Sequence, residues 1–192
     1  MRRAALALMT ALAAQTASAI EEPRFETLRR SGDFELRRYA PMIVAETFVQ
    51  GDLSEASGDG FRVIAGYIFG NNVSVRGDGN EKVAMTAPVT MEAGATERYR
   101  MHFVMPSAYT LETLPRPRDA RVRLRELPAR QMAVVRFSGF AGEDKVRERT
   151  NELLEWLRTE GLKPAGTPQL ARYDPPWTLP FLRRNEVMLP LD

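Results

Sequence analysis

The chain has 192 residues, with 27 basic and 25 acidic side chains, one histidine and no cysteine. The lack of cysteine excludes disulfides, thiolate nucleophiles and cysteine-ligated metals, and a single histidine leaves few designs for a zinc site. The near balance of charge argues against binding to nucleic acid, which needs a clustered basic face.

Residues 1–19 have the pattern of a signal peptide. Two arginines follow the first methionine, an apolar run extends from Ala4 to Ala14, and a small-residue cleavage site ends at Ala19. The run is shorter than the roughly 20 apolar residues that span a bilayer. We therefore predict cleavage before Ile20, a periplasmic or secreted protein, a single domain over residues 20–192 and no stable membrane insertion.

Two stretches of the chain, residues 34–51 and 122–139, align without a gap at a constant offset of 88. Each alternates apolar and polar residues as a strand does, bends at a proline and continues into a second strand that ends at a glycine. This pattern predicts a hairpin at the start of each half. The identical pairs are Leu36 with Leu124, Arg37 with Arg125, Ala45 with Ala133 and Gly51 with Gly139.

A helix is predicted after each hairpin. In the first half, Asp52 and Glu55 resemble a capping box, and apolar residues recur at helical spacing from Phe61 to Ile68. In the second half, the apolar face extends from Val146 to Leu157. A glycine, the usual residue just beyond a helix end, follows each stretch.

Two further strands are predicted to close each half. They are residues 82–86 and 100–106 in the first half, and residues 170–174 and 184–190 in the second. Each half is then ββαββ, over about 34–106 and 122–190. The predicted fold is of the α+β class, with two helices and a distorted eight-stranded antiparallel barrel or curved sheet whose halves are related by a pseudo-twofold axis.

Groups suited to catalysis are few. No serine lies in a G-x-S-x-G elbow that could use His102. Glu186 lies among apolar strand residues, where a carboxylate can have a raised pKa and serve as an acid or base; the alternative is a salt bridge to a neighbouring arginine. At an offset of 84, His102 corresponds to Glu186, so both should face the cleft between the halves or both should face solvent.

The loop after Pro176 is rich in large apolar side chains, namely Trp177, Leu179 and Phe181. A surface loop of this kind either packs on the core or binds a partner. A ligand-binding protein without catalytic turnover is therefore the favoured interpretation. An enzyme that hydrolyses or degrades a bound ligand and a protein-interaction module are the alternatives.

Five motifs follow one another across nearly the whole of the chain after residue 19. They are Lys82–Val89, Phe103–Pro106, Arg136–Gly139, Tyr173–Pro176 and Arg183–Val187. In this combination and order the sequence resembles the SOUL heme-binding family. The resemblance implies a distorted eight-stranded barrel flanked by two helices, a fold similar to the effector-binding domains of multidrug-responsive regulators. It also implies binding of heme or free porphyrin.

The resemblance further implies a hydrophobic groove between the first helix and the Tyr-Asp-Pro-Pro loop. Some family members have a histidine, a proposed iron ligand, where this chain has Arg38. Members with the groove also have basic residues near the positions where this chain has Gly66 and Thr178. Arg62 or Arg183 would replace those basic residues toward the propionates. The groove residues implied here are Phe61, Arg62, Ile64, Tyr67, Ile68, Trp177, Leu179 and Phe181.

Overall fold

A computed structural model describes residues 20–94 and 98–192 of the chain. The predicted signal peptide lies outside the described residues. The helices are α1 (Leu53–Ile68) and α2 (Glu143–Thr159). The strands are β1 (Phe25–Ser31), β2 (Phe34–Tyr39), β3 (Met42–Gln50), β4 (Asn72–Val73), β5 (Val89–Ala93), β6 (Arg98–Val104), β7 (Arg116–Pro117), β8 (Arg123–Leu127), β9 (Arg130–Phe137), β10 (Gln169–Arg172) and β11 (Asn185–Pro190).

Nine strands form one curled antiparallel sheet in the order β1-β2-β9-β11-β10-β5-β6-β3-β8, and β4 pairs with β7 apart from it. The sheet bends into a half-barrel, and both helices pack on the same face of it. The predicted α+β class, with two helices and a curved antiparallel sheet, is confirmed. Among the helices in the described ranges, none is long and apolar enough to cross a membrane.

The predicted hairpins are wrong, because the first two strands of each half do not pair with each other. Instead β2 pairs with β9, and β3 pairs with β8, so each half supplies a strand to the other. Alternation of side chains shows which face of a strand is buried, but carries no information on which neighbour supplies its hydrogen bonds. The sheet order is consequently symmetrical about the central β10–β5 pair.

In the nine-stranded sheet, one strand was not predicted, and another was predicted too early in the sequence; the short strands β4 and β7 were also not predicted. β1 lies at the edge of the sheet beside β2, and its side chains are exposed on both faces, so it has no apolar alternation. Residues 82–86, which were predicted to form a strand, have an irregular backbone. Within this segment the Val83 amide donates to the Ile68 carbonyl at 2.8 Å. The strand begins at Val89, just after Pro88, which has no amide hydrogen to give to a sheet.

α1 begins, and both helices end, where the sequence signals indicate. Asp52 caps α1, since its carboxylate accepts from the amides of Ser54 at 2.8 Å and Glu55 at 2.9 Å. Gly70 and Gly161 follow the two helices with φ of 121° and 68°, a region that glycine enters without steric cost. The apolar stripes of both helices cover the sheet and form the main core with its inward strand residues.

Candidate functional site

Large apolar side chains lie exposed together at one end of the molecule. Trp177 is 83% exposed, Phe181 70% and Phe140 69%, and Leu179 and Leu182 are also more than half exposed. We call these five residues the aromatic surface. Monomeric proteins seldom expose neighbouring large apolar groups without a binding role. Phe140 and Leu182 were missed in the sequence, where Phe140 stands alone between Gly139 and the start of α2.

Backbone contacts hold the two segments of the aromatic surface together. The Gly139 amide donates to the Pro180 carbonyl at 2.9 Å, and Asn185 donates to the Gly139 carbonyl at 3.1 Å. The guanidinium of Arg183 lies over the Phe140 ring, 5.1 Å from its centre, and donates to the Thr178 carbonyl at 2.8 Å. The surface therefore rests on a fixed loop and has a cation at its edge.

Arg172 connects this end of the molecule to α1. Its guanidinium donates to Ser57 Oγ at 2.7 Å and to the Ala141 carbonyl at 3.1 Å. Phe61 follows Ser57 by one helical turn, so it lies on the same flank of α1, and it is 43% exposed. The structure thus brings α1 and the segment before α2 together, with Phe61 as the exposed aromatic residue of the helix.

Three other predicted groove residues lie in the core. Ile64, Tyr67 and Ile68 are each about 98–99% buried between α1 and the sheet. The Tyr67 hydroxyl donates to the Pro115 carbonyl at 2.9 Å, and burial raises the pKa of that hydroxyl. These side chains are not available on the outer surface of α1.

Arg62 lies on the opposite flank of α1 from Phe61. Successive residues of a helix are turned by about 100°, which separates neighbours in sequence onto different flanks. Arg62 pairs with Asp59 at 3.1 Å and lines a polar groove of about 570 Å³, together with Arg98 and Arg121. Among the predicted basic groups, Arg183 is the one at the aromatic surface.

The sheet face turned away from both helices, here called the inner face, has buried charged residues. Glu186, Ala171, Thr90 and His102 are successive neighbours across β11, β10, β5 and β6. Glu186 and His102 therefore lie on the same face, on the two strands that flank the central β10–β5 pair. Both are buried, at 2% and 4% exposure, so neither faces solvent.

Glu186 is held in a network of hydrogen bonds. Its two carboxylate oxygens accept from the Arg37 guanidinium at 2.8 and 3.0 Å, and one accepts from the Tyr173 hydroxyl at 2.7 Å. Arg37 also donates to Glu35 at 2.7 Å and to the Tyr39 hydroxyl at 3.0 Å. Burial would lower the pKa of Arg37, but the bonds to Glu186 raise it, and burial raises the pKa of Tyr39 to about 12. Glu186 is thus in the salt bridge that was the alternative to acid–base chemistry.

His102 contacts a shared carboxylate. Its Nε2 lies 2.9 Å from Glu46 Oε2, which also lies 3.0 Å from the Arg125 guanidinium. Burial lowers the pKa of His102, with smaller effects in the same direction from Arg100 and Arg125, and Glu46 opposes them. A neutral ring that donates Nε2–H to Glu46 fits these contacts. No three His, Asp or Glu side chains within residues 20–94 and 98–192 are grouped to hold a metal ion.

The lowered pKa of His102 predicts a loss of stability in mild acid. The unfolded chain takes up a proton near pH 6.5, whereas the folded chain resists it, so the contribution is present above that pH and is lost as pH falls below it. The slope is at most about 1.4 kcal/mol per pH unit. Urea unfolding of the wild type and His102→Gln from pH 7.5 to 5 should give curves that converge at low pH. Parallel curves would contradict the assignment.

The fold is shared with solved structures of low sequence identity. The C-terminal domain of EcmrR matches with a TM-score of 0.62 and 14% identity, over 83% of this chain and 96% of that one. A hydrolase from Listeria innocua matches at 0.59 and 15%, over 86% and 94%, and an uncharacterised conserved protein from the same organism at 0.57 and 14%, over 83% and 92%. At such identity the likeness shows the fold alone. No curated protein matches the chain.

The sequence profile of the SOUL heme-binding proteins matches residues 20–190, which include every motif of the resemblance and all the strands and helices described above. The chain therefore belongs to the SOUL heme-binding protein family.

Proposed function

We propose that the protein binds a tetrapyrrole, heme or free porphyrin, on the aromatic surface and the adjoining flank of α1. The observation that carries the proposal is the exposed set of Phe140, Trp177 and Phe181 in a chain of a heme-binding family. A porphyrin is a flat apolar ring with acidic propionates. The aromatic faces suit the ring, and Arg183 at the edge suits a propionate.

The affinity follows from the area that such a surface covers. Burial of roughly 300 Å² of apolar ligand surface at about 25 cal/mol/Å² gives a gross gain near 7 kcal/mol. Association and ordering of side chains cost several kcal/mol of this. Micromolar rather than nanomolar binding is expected, with specificity for flat apolar ligands rather than for iron.

Ligation of iron by histidine is not part of the proposal. The one histidine of the chain, His102, is buried on the inner face, whereas the aromatic surface adjoins the helices. Apolar packing of the ring therefore supplies the binding energy, and heme and iron-free protoporphyrin should bind comparably.

The proposal is a binding function without turnover. Both oxygens of Glu186, the acid or base of the enzymatic alternative, are engaged by Arg37 and Tyr173. A carboxylate held in this way is poorly placed to exchange protons with a ligand. We further propose export to the periplasm or the medium, supported by the leader pattern; N-terminal sequencing of the processed protein should begin at Ile20.

The aromatic surface predicts the outcome of a titration. Hemin and protoporphyrin should each give a saturable Soret change with the wild type and quench the fluorescence of exposed Trp177 more than that of buried Trp156. The double variant Trp177→Ala/Phe181→Ala should weaken both ligands at least about tenfold, which is about 1.4 kcal/mol.

The matched controls are Leu111→Ala, an exposed apolar residue of another loop, and His102→Gln. Neither should change the affinity or the Soret position. No saturable change with either ligand would refute tetrapyrrole binding, and a shifted Soret band in His102→Gln would place the iron on the inner face. Protein-dependent loss of the Soret band with hemin and reductant, abolished by Glu186→Gln, would favour the enzyme.

A further inference from the structure

A further concavity lies beside the start of β3 and the ends of β6 and β8. Its volume is about 500 Å³, and its lining comes from residues 21–24, 40–43 and 104–112, with Thr86 and Glu126. We call it the acidic pocket. It shares no lining residue with the aromatic surface, and its volume is in the range of small-molecule sites.

The floor of the acidic pocket is apolar. Met42 and Ile43 are half-buried and keep part of their surface open to the pocket, and Val104 and Met105 are buried next to them. Leu111 is at the edge and is 40% exposed. Side chains of this kind favour a hydrocarbon, because contact removes apolar surface of both partners from water. The floor therefore suits a ligand with an apolar body.

The rim of the acidic pocket has an excess of negative charge. Its acidic residues are Glu21, Glu22, Glu112 and Glu126, and its one cation is Arg24, which gives a net charge of −3. Glu22 is paired with an arginine of another segment, whereas Glu112 and Glu126 form no ion pair with any residue that the structure describes. Carboxylates that line one concavity add their fields there, so the rim attracts a cation and repels an anion.

The walls of the acidic pocket are held by hydrogen bonds. The Glu21 carbonyl accepts from the Ala87 amide at 2.9 Å, and its carboxylate accepts from the Ser107 amide at 2.8 Å. The Arg24 carbonyl accepts from the Ala40 amide at 3.1 Å. These bonds fix the segment before β1 against two other walls, so a ligand does not pay the full cost of ordering the site.

We propose that the acidic pocket binds an organic cation with an apolar body, of the class of aryl or alkyl amines. The ammonium group is held at the rim by Glu112 and Glu126, and the hydrocarbon lies on the floor formed by Met42 and Ile43. A metal ion fits less well, since no three acidic side chains in residues 20–94 and 98–192 are grouped to hold one. The site is separate from the aromatic surface and goes beyond the proposed tetrapyrrole binding.

Three ligands of similar shape test the preference for charge. At neutral pH phenylbutylamine is a cation, phenylbutanol is neutral and phenylbutyrate is an anion. Isothermal titration of the full chain should show one saturable site that binds the amine most tightly and the anion least, and high salt should weaken the amine alone. With ¹³C in the methionine methyl groups, the amine should move the resonances of Met42 and Met105, assigned from Met42→Leu and Met105→Leu.

Variants at the rim test the two carboxylates. Glu112→Gln/Glu126→Gln should weaken the amine at least about threefold and leave the alcohol unchanged, because exposed ion pairs are individually weak. Leu111→Ala should weaken all three ligands. Glu155→Gln, which removes an exposed carboxylate of α2, is the matched control and should bind as the wild type does.

The double variant Trp177→Ala/Phe181→Ala separates the two sites, because it should weaken hemin and leave the amine unchanged, whereas Leu111→Ala should do the reverse. The wild-type methyl resonances keep the proposal testable even if a variant fails to fold. Equal binding of the three ligands, or tighter binding of the anion, would overturn the preference for a cation. Unmoved resonances of Met42 and Met105 would overturn the site.

Discussion

Arg37→Met is expected to lower the free energy of unfolding by about 3–5 kcal/mol. The substitution leaves the carboxylate of Glu186, which is 2% exposed, without its cation and with a hydrogen bond from Tyr173 alone. Glu35 loses its buried partner as well. Loss of one member of a buried pair costs far more than the pair contributes, because the remaining charge has neither water nor a counterion.

The double variant Arg37→Met/Glu186→Met separates this cost from the net value of the pair. Two apolar side chains of similar size should recover much of the lost stability, since they remove both desolvated charges. Arg158→Met, in an exposed pair with Glu155 on α2, is the surface control and should unfold like the wild type. Urea unfolding followed by circular dichroism measures all four proteins. If Arg37→Met were as stable as the wild type, the carboxylate of Glu186 would not need its salt bridge, and it could then act as an acid or base.

The parts of the fold that were predictable are those with local signals. Both helices have apolar stripes of the right period and glycines after their ends. β2 and β8 alternate apolar and polar residues, and β3 and β9 are mostly apolar runs. Pairing between strands depends on long-range packing, so the exchange of strands between the halves has no signature within either stretch. β1 is exposed on both faces, and a strand that buries neither face leaves no pattern in the sequence.

The sequence indicated which types of residue form the candidate site, but not which side chains of α1 face outward. Trp177 and Phe181 are exposed, so the first of the two interpretations of their loop, packing on the core, is wrong. For α1, the stripe that marks a helix as amphipathic is the same stripe that packs on the sheet, so Ile64 and Tyr67 were drawn from the buried face.

Alanine substitutions on the two faces of α1 are expected to have opposite effects on stability and on ligand binding. Ile64→Ala should lower the free energy of unfolding by about 2–5 kcal/mol, because it leaves a cavity between α1 and the sheet, where the side chain is 2% exposed. Phe61→Ala should change stability by less than about 0.5 kcal/mol, since the side chain is on the surface and alanine favours a helix.

Binding should follow the reverse order. Phe61 adjoins the segment before α2 through Ser57 and Arg172, so Phe61→Ala should weaken hemin and protoporphyrin severalfold, by roughly 1 kcal/mol of lost ring contact. Ile64→Ala, measured where it is fully folded, should bind both ligands like the wild type. Soret titration and urea unfolding on the same preparations give both quantities. Weaker binding by folded Ile64→Ala, with Phe61→Ala unaffected, would mean that the ligand enters beneath α1 and displaces the helix from the sheet.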